Sequence, residues 1–269
     1  MFSSERLGTS GFVIKVPNYD TSDLLMRALY IIFAVQKQTD KKMSCILHIE
    51  TSADIVSVAL SERGAILTEE ETDQPLRAAT DAAPMAERMM SFADSHAIPL
   101  DAIAVSSGPG SYTGLRIGAS LAKGLAFGRN LELVAVPTLE LLCVPVLLGE
   151  ELPEDALLCP MLDARRMEVY AAIYDRALKP LRGVQPDIIA EDSYAEFMDR
   201  PLYFFGPGAG KCRPMLEPRG ARFLNDVRPV ARWMMPLAEM RLLRGQTEDV
   251  AYFEPNYLKE ANAGSTKKQ

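Results

Sequence analysis

Ser106-Ser107-Gly108-Pro109-Gly110-Ser111-Tyr112-Thr113-Gly114-Leu115-Arg116-Ile117-Gly118 is the most informative segment of the chain. The apolar run Ala102-Ile103-Ala104-Val105 in front of it reads as a buried strand, and Leu115 to Phe127 behind it reads as a helix. A strand, a glycine-rich turn and a helix N-terminus together turn backbone N–H groups outward, where an anion or the carbonyl edge of a partner can sit. Gly108, Gly110, Ser111, Thr113 and Gly114 are the candidate contact residues. The same glycines also suit a plain tight turn between α/β elements.

Working outward, Cys45–Glu50, Ile55–Ser61 and Ala65–Glu71 read as an antiparallel meander, with Arg63-Gly64 as the turn between the second and third strands. Thr80 or Asp81 is the expected cap of a helix running to about Ser95, with Pro84 in its first turn. Met85, Met89 and Phe92, at i, i+4 and i+7, mark one buried face of that helix. Beyond the loop come strand Leu133–Val136 and a helix from Thr138 to about Leu148, with a kink expected at Pro145. A second lobe starts near Pro153 with the hairpin Leu157–Leu162 and Glu168–Tyr174. Val184–Ile189, Tyr203–Phe205 and Arg222–Leu224 are weaker strand candidates, and Ala231–Leu243 is helical despite Met235-Pro236.

The 269 residues are 48% hydrophobic, enough for one large domain or two ordinary lobes. A net charge of −7 argues against a free-standing nucleic-acid binder. Cys45, Cys143, Cys159 and Cys212 form no CxxC pair and read as reduced, buried thiols of a cytoplasmic protein. His48 and His96 are the only histidines and lack metal-ligand spacing, so no metal site is expected. Residues 1–42 carry +2 against −9 for the remainder. Their apolar run Leu24–Val35 is too short to span a bilayer and too far from the N-terminus for a signal peptide. Met43 is therefore the expected start, the alternative being a docked helix. The expected organisation is an extension over 1–42, an N-terminal lobe over 43–150, a C-terminal lobe over 151–260 and a disordered tail over 261–269.

Phe205-Gly206-Pro207-Gly208-Ala209-Gly210-Lys211-Cys212 imitates a P-loop but fails it: Phe205 stands at the first required glycine and Cys212 at the magnesium-binding hydroxyl. It reads as a glycine turn after a strand, with Lys211 free to approach a ligand between lobes. No nucleophile, base and orienter constellation is evident. Ser111 and Thr113 read as helix-start hydroxyls rather than nucleophiles.

The glycine-rich loop resembles the signature of the TsaB (YeaZ) family. Ile46-Leu47-His48-Ile49-Glu50-Thr51-Ser52, Leu100 to Val105, Ala122-Lys123-Gly124-Leu125-Ala126-Phe127 and Asp163-Ala164-Arg165-Arg166 with Glu168-Val169-Tyr170 agree with it in order. The resemblance implies an α/β fold of two actin-like lobes, as in the sugar-kinase and Hsp70 superfamily, each a mixed sheet flanked by helices. It implies a non-catalytic dimerisation subunit of the complex that places threonylcarbamoyl on adenosine 37 of tRNA. The implied partners are a catalytic TsaD-like transferase and a TsaE-like ATPase, with a homodimer as a further possibility and tRNA met only through the complex. ATP and metal would belong to those partners.

Two rivals of the same superfamily are a glycoprotease-type peptidase and a small-molecule kinase. The first needs a His-x-x-x-His pair on the helix over Ala82–Ser95, which has none. The second needs a glycine in the phosphate turn, where Thr51 stands in Glu50-Thr51-Ser52.

Gly114, Gly118, Ala122 and Ala126 form a ridge of small residues along one helix face. Spacing alone leaves open whether it meets the lobe's own sheet or another subunit. Dimerisation of the family favours the subunit, with Leu115, Leu121, Met85 and Met89 beside the ridge as interface candidates. Asp163, Arg165 and Arg166 form either a local salt bridge or a partner contact.

Overall fold

The computed structural model describes residues 44–72 and 74–258. The extension over 1–42, the Met43 start and the tail over 261–269 lie outside these residues.

Two five-stranded mixed sheets share one topology. The first contains β1 (Cys45–Glu50), β2 (Ser57–Glu62), β3 (Ala65–Glu71), β4 (Ala102–Ser106) and β5 (Glu132–Val136), in the order β3-β2-β1-β4-β5. The second contains β6 (Leu157–Asp163), β7 (Glu168–Tyr174), β8 (Pro180–Ile188), β9 (Leu202–Phe205) and β10 (Arg222–Phe223), in the order β8-β7-β6-β9-β10. In each, three strands form an antiparallel meander and two parallel strands add to its first strand. This is the duplicated lobe expected from the actin-like resemblance. The Arg63-Gly64 turn has φ of +55° and +71°, the left-handed pair that a two-residue hairpin demands.

The helices are α1 (Ala78–Ser95), α2 (Tyr112–Arg129), α3 (Thr138–Gly149), the single turn α4 (Arg213–Leu216) and α5 (Met235–Leu243). Helix α1 starts earlier than expected. Arg77 lies at its cap and pairs with Asp81 at 3.0 Å, so Thr80 and Asp81 belong to its first turn. Pro84 consequently sits in the second turn. Pro236 is at the start of α5, preceded by a 3-10 turn over Ala231–Met234, which resolves the awkward Met235-Pro236.

Helix α3 is apolar all round because it is covered all round. Leu139, Leu142, Cys143, Val146 and Leu147 pack with Leu158, Tyr174 and Phe205 of the second sheet, while Leu141 and Val144 pack with Ile46, Ala104 and Val136 of the first. Helices α1 and α2 cover the opposite face of the first sheet.

The boundary at 151–260 needs correction. Met234, Leu237 and Ala238 return to the first sheet, whose apolar face over Ile46, Ala102 and Val134 they close. Beyond them, Glu248 N donates to Leu133 O at 2.8 Å, and Phe253 enters the core beneath α1 and α2.

Candidate functional site

The glycine-rich loop closes onto the turn that follows β1. Ser111 N donates to Ser52 O at 2.7 Å, Gly114 N to Ser111 Oγ at 3.2 Å and Leu115 N to Ser111 O at 2.8 Å. Ser111 is thus the N-cap of α2, which begins at Tyr112 rather than Leu115. Gly108 has φ +95° and a Cβ there would lie 2.8 Å from Asn256 O, so backbone conformation and space both call for glycine. Asn256 N in turn donates to Ser107 O at 2.7 Å, so the returning C-terminal segment straps the loop. At Gly110 space alone calls for glycine, since a Cβ there would overlap the Ser52 carbonyl. Ser111 and Thr113 are exposed at the helix start, beside a Tyr112 ring that packs 4.9 Å from Tyr257 and under the Arg116 guanidinium.

The N–H groups of Ser111, Gly114 and Leu115 are turned onto Ser52 and Ser111, and Thr51 lies against Gly114 and Gly118. Thr51 and Ser52 are buried, with hydroxyl oxygens that find no partner.

The small-residue ridge faces inward, which corrects its assignment to a subunit interface. A Cβ on Gly114 would overlap the Thr51 carbonyl, and one on Gly118 would overlap the Thr51 hydroxyl. Ala122 and Ala126 are buried in the core with Met85 and Met89 of α1. Leu115 is 1% exposed, and Leu121 is half-buried against the same core. The small residues let α2 approach the β1 turn closely; they present nothing to another chain.

The opposite side of α2 carries a second ridge of small residues, absent from the candidates above. Ser120, Gly124 and Gly128 are exposed at i, i+4 and i+8, and a Cβ on either glycine would meet nothing within 4 Å. Phe127 beside them is 83% exposed. The same i, i+4 spacing was available to find it.

At the second lobe, Asp163 Oδ1 accepts from Arg165 N at 2.6 Å and from Lys211 Nζ at 2.7 Å. Lys211 also donates to Glu168 O at 2.7 Å. The lysine of the P-loop imitation therefore braces the β6–β7 hairpin instead of approaching a ligand. The salt bridge of Asp163 is with Lys211, and Arg165 and Arg166 stand exposed. Gly206-Pro207-Gly208 occupies the place after β9 that Gly108-Pro109-Gly110 occupies after β4, and Gly208 N donates to Met161 O at 2.9 Å. Both lobes thus lay a Gly-Pro-Gly turn against the end of their first strand.

Three buried titratable groups lie around the first sheet. Burial pushes the Glu50 carboxyl up to about 7, against the opposing hydrogen bond that Ser52 N donates at 2.5 Å. Burial holds the His48 imidazole down to about 3, and its Nε2 contacts Ser61 Oγ at 2.7 Å. Glu239 of α5 is 3% exposed; burial, and then the charge of Asp101, push it up to about 7 against the opposing Ser44 hydroxyl. All four cysteines are buried thiols outside any disulfide. Among the described residues, no three His, Cys, Asp or Glu side chains are placed to hold a metal ion, and no helix is long and apolar enough to cross a membrane.

Residues 78–202 match the family model of TsaD, tRNA N6-adenosine threonylcarbamoyltransferase. A transferase of that name from Chromobacterium violaceum is 36% identical, but over only 40% of this chain and 37% of its own length. The tRNA threonylcarbamoyladenosine biosynthesis protein TsaB of Bacillus subtilis is 31% identical over 232 residues, which is 81% of this chain and 95% of the relative. The solved structure of YeaZ from Pseudomonas aeruginosa superposes with a TM-score of 0.63 at 26% identity, covering 80% of this chain and 100% of that one. The transferase likeness is confined to part of the molecule, whereas the likeness to TsaB runs through both lobes and nearly the whole relative, so the chain belongs to the TsaB family of tRNA threonylcarbamoyladenosine biosynthesis proteins.

Proposed function

We propose that this chain is the non-catalytic, activating subunit of a cytoplasmic complex that transfers threonylcarbamoyl to adenosine 37 of tRNA. The observation that carries the reading is end-to-end likeness to TsaB combined with a phosphate turn filled by Thr51. A TsaD-like transferase supplies the chemistry and its metal, and a TsaE-like ATPase consumes ATP. This chain contributes no cofactor, and meets tRNA only within the assembly. Its partner surface is the outer face of α2, where Ser120, Gly124 and Gly128 let a second helix approach and exposed Phe127 supplies apolar area. A homodimer through the same face competes with the heterodimer. Peptidase and kinase activities find no support in the residues around the loop.

Reconstitution tests this reading. The chain, a TsaD-like and a TsaE-like subunit are mixed with threonylcarbamoyl donor, ATP and unmodified tRNA, and the modified nucleoside is measured by mass spectrometry. Product is expected only when all three proteins are present, and none from this chain alone. Equal product without the chain would reject the proposal.

A further inference from the structure

The β6–β7 hairpin ends in two arginines that the chain's own fold does not use. Arg165 and Arg166 are exposed, and neither guanidinium is engaged by another described residue. Arg88, Arg129, Arg182 and Arg232 each find a carboxylate, and Arg200 and Arg222 bond a carbonyl and a tyrosine hydroxyl. Arg165 and Arg166 also have φ of +70° and +50°, the one place among the described residues where two adjacent non-glycine residues are left-handed. Glycine or asparagine meets that backbone demand with less strain, so arginine at both positions is explained by what the side chains carry.

The tip is held rigidly from beneath. Asp163 accepts from Arg165 N, Ala164 N donates to Glu168 O at 3.0 Å, Glu168 N donates to Arg165 O at 3.1 Å, and Lys211 ties Asp163 to the Glu168 carbonyl. The charge of Lys211 is matched by Asp163. With Glu168 also on the hairpin the tip carries a net positive charge, and Arg165 and Arg166 are its most exposed cationic groups.

We propose that Arg165 and Arg166 form a fixed contact for consecutive phosphodiester groups of the tRNA on which the complex acts. The inference rests on the proposed function, which brings that polyanion to the assembly. A guanidinium fork matches phosphate oxygens bidentately. Adjacent residues lie about 3.8 Å apart at Cα, and two arginine arms from such a base can reach neighbouring phosphates of one strand. With a net charge of −7 the chain repels nucleic acid in general, so two arginines on a braced tip set the register of the RNA rather than supply bulk affinity.

The test is equilibrium binding of an unmodified tRNA transcript to the complete three-subunit complex, over a series of salt concentrations. The complex contains either the natural chain or the double variant Arg165→Ala/Arg166→Ala. Each lost phosphate contact flattens the slope of log K against log salt by about 0.7–0.9, so a slope shallower by about 1.4–1.8 is expected. Affinity should fall about tenfold at low salt and equally for different tRNAs. Thermal melting of the variant and its RNA-free assembly should be unchanged. Arg165→Lys/Arg166→Lys should keep the slope while losing part of the affinity. Unchanged tRNA affinity and slope in the alanine variant would overturn the inference and leave the proposed function standing. Loss of subunit assembly without RNA would also overturn it, because the arginines would then contact an acidic protein surface. Failure of the natural complex to bind or modify tRNA at all would instead reject the proposed function, and the inference with it.

Discussion

A methyl group at residue 118 would collide with the Thr51 hydroxyl, and that collision predicts a coupled pair. Gly118→Ala should destabilise the protein by about 1–3 kcal/mol, the usual consequence of overpacking a tight core. Thr51→Ala removes the buried, unpartnered hydroxyl that the new methyl would strike. In the double variant part of the loss should therefore return, with a coupling of at least about 0.5 kcal/mol. Urea unfolding of the four proteins measures it, and strict additivity would mean the two side chains do not touch. Thr51 could be read from sequence as a departure from a phosphate turn. That it fills the space the glycines leave is a through-space fact, since more than 60 residues separate it from Gly118.

Helix α2 carries small residues on two opposite sides. Gly114, Gly118, Ala122 and Ala126 meet the sheet, and Ser120, Gly124 and Gly128 meet solvent. The two ridges separate the consequences of substitution. Gly124→Leu should leave monomer stability unchanged or raise it by up to about 1 kcal/mol, because glycine is a poor helix former and its Cβ position is open. Its affinity for the TsaD-like subunit should fall by one to two decades, matching an overpacking penalty of about 1–3 kcal/mol. Sedimentation and titration calorimetry, run beside a thermal melt, decide it: full affinity would place the interface elsewhere, and a collapsed melt would show that the outer ridge is packed. The sequence showed that α2 exists, where it starts to within a turn, and that it is rich in small residues. It could not orient the helix, because a four-residue spacing of small side chains is satisfied on both sides at once.

Across the whole molecule, buried charge predicts how stability follows pH. Glu50 and Glu239 have folded values of about 7, above the ordinary carboxylate value of 4.5. The native state then holds more protons than the unfolded one between those limits, so stability falls as pH rises from about 4.5 through 7. His48, held down to about 3 from 6.5, acts in the opposite sense: its contribution is lost as pH falls from 6.5 towards 3. Two carboxyls outweigh one imidazole where the windows overlap, so these three groups place maximum stability near pH 4.5–5. Replacing Glu239 by Gln should remove part of the alkaline decline, with a gain at pH 8 of at most about 3 kcal/mol and little change at pH 4.5. Chemical unfolding at the two pH values measures this, and a gain of equal size at both would show that ionisation is not the cause.

The local elements were legible in the chain: the meander, the helix after the glycine-rich loop to within a turn of its start, the Arg63-Gly64 turn and the repetition of the pattern in a second lobe. Each is written in short-range terms, as alternation, helical period or turn chemistry, and each needs only neighbouring residues to be read. Only the folded chain sets which side of α2 is inside, that Lys211 braces the Asp163 hairpin, that α5 and Phe253 return to the first lobe, and that the guanidinium groups of Arg165 and Arg166 are engaged by no other described residue. Those outcomes depend on which apolar faces remain uncovered once both sheets have formed, and on charges brought together from distant parts of the chain, and no local pattern encodes either.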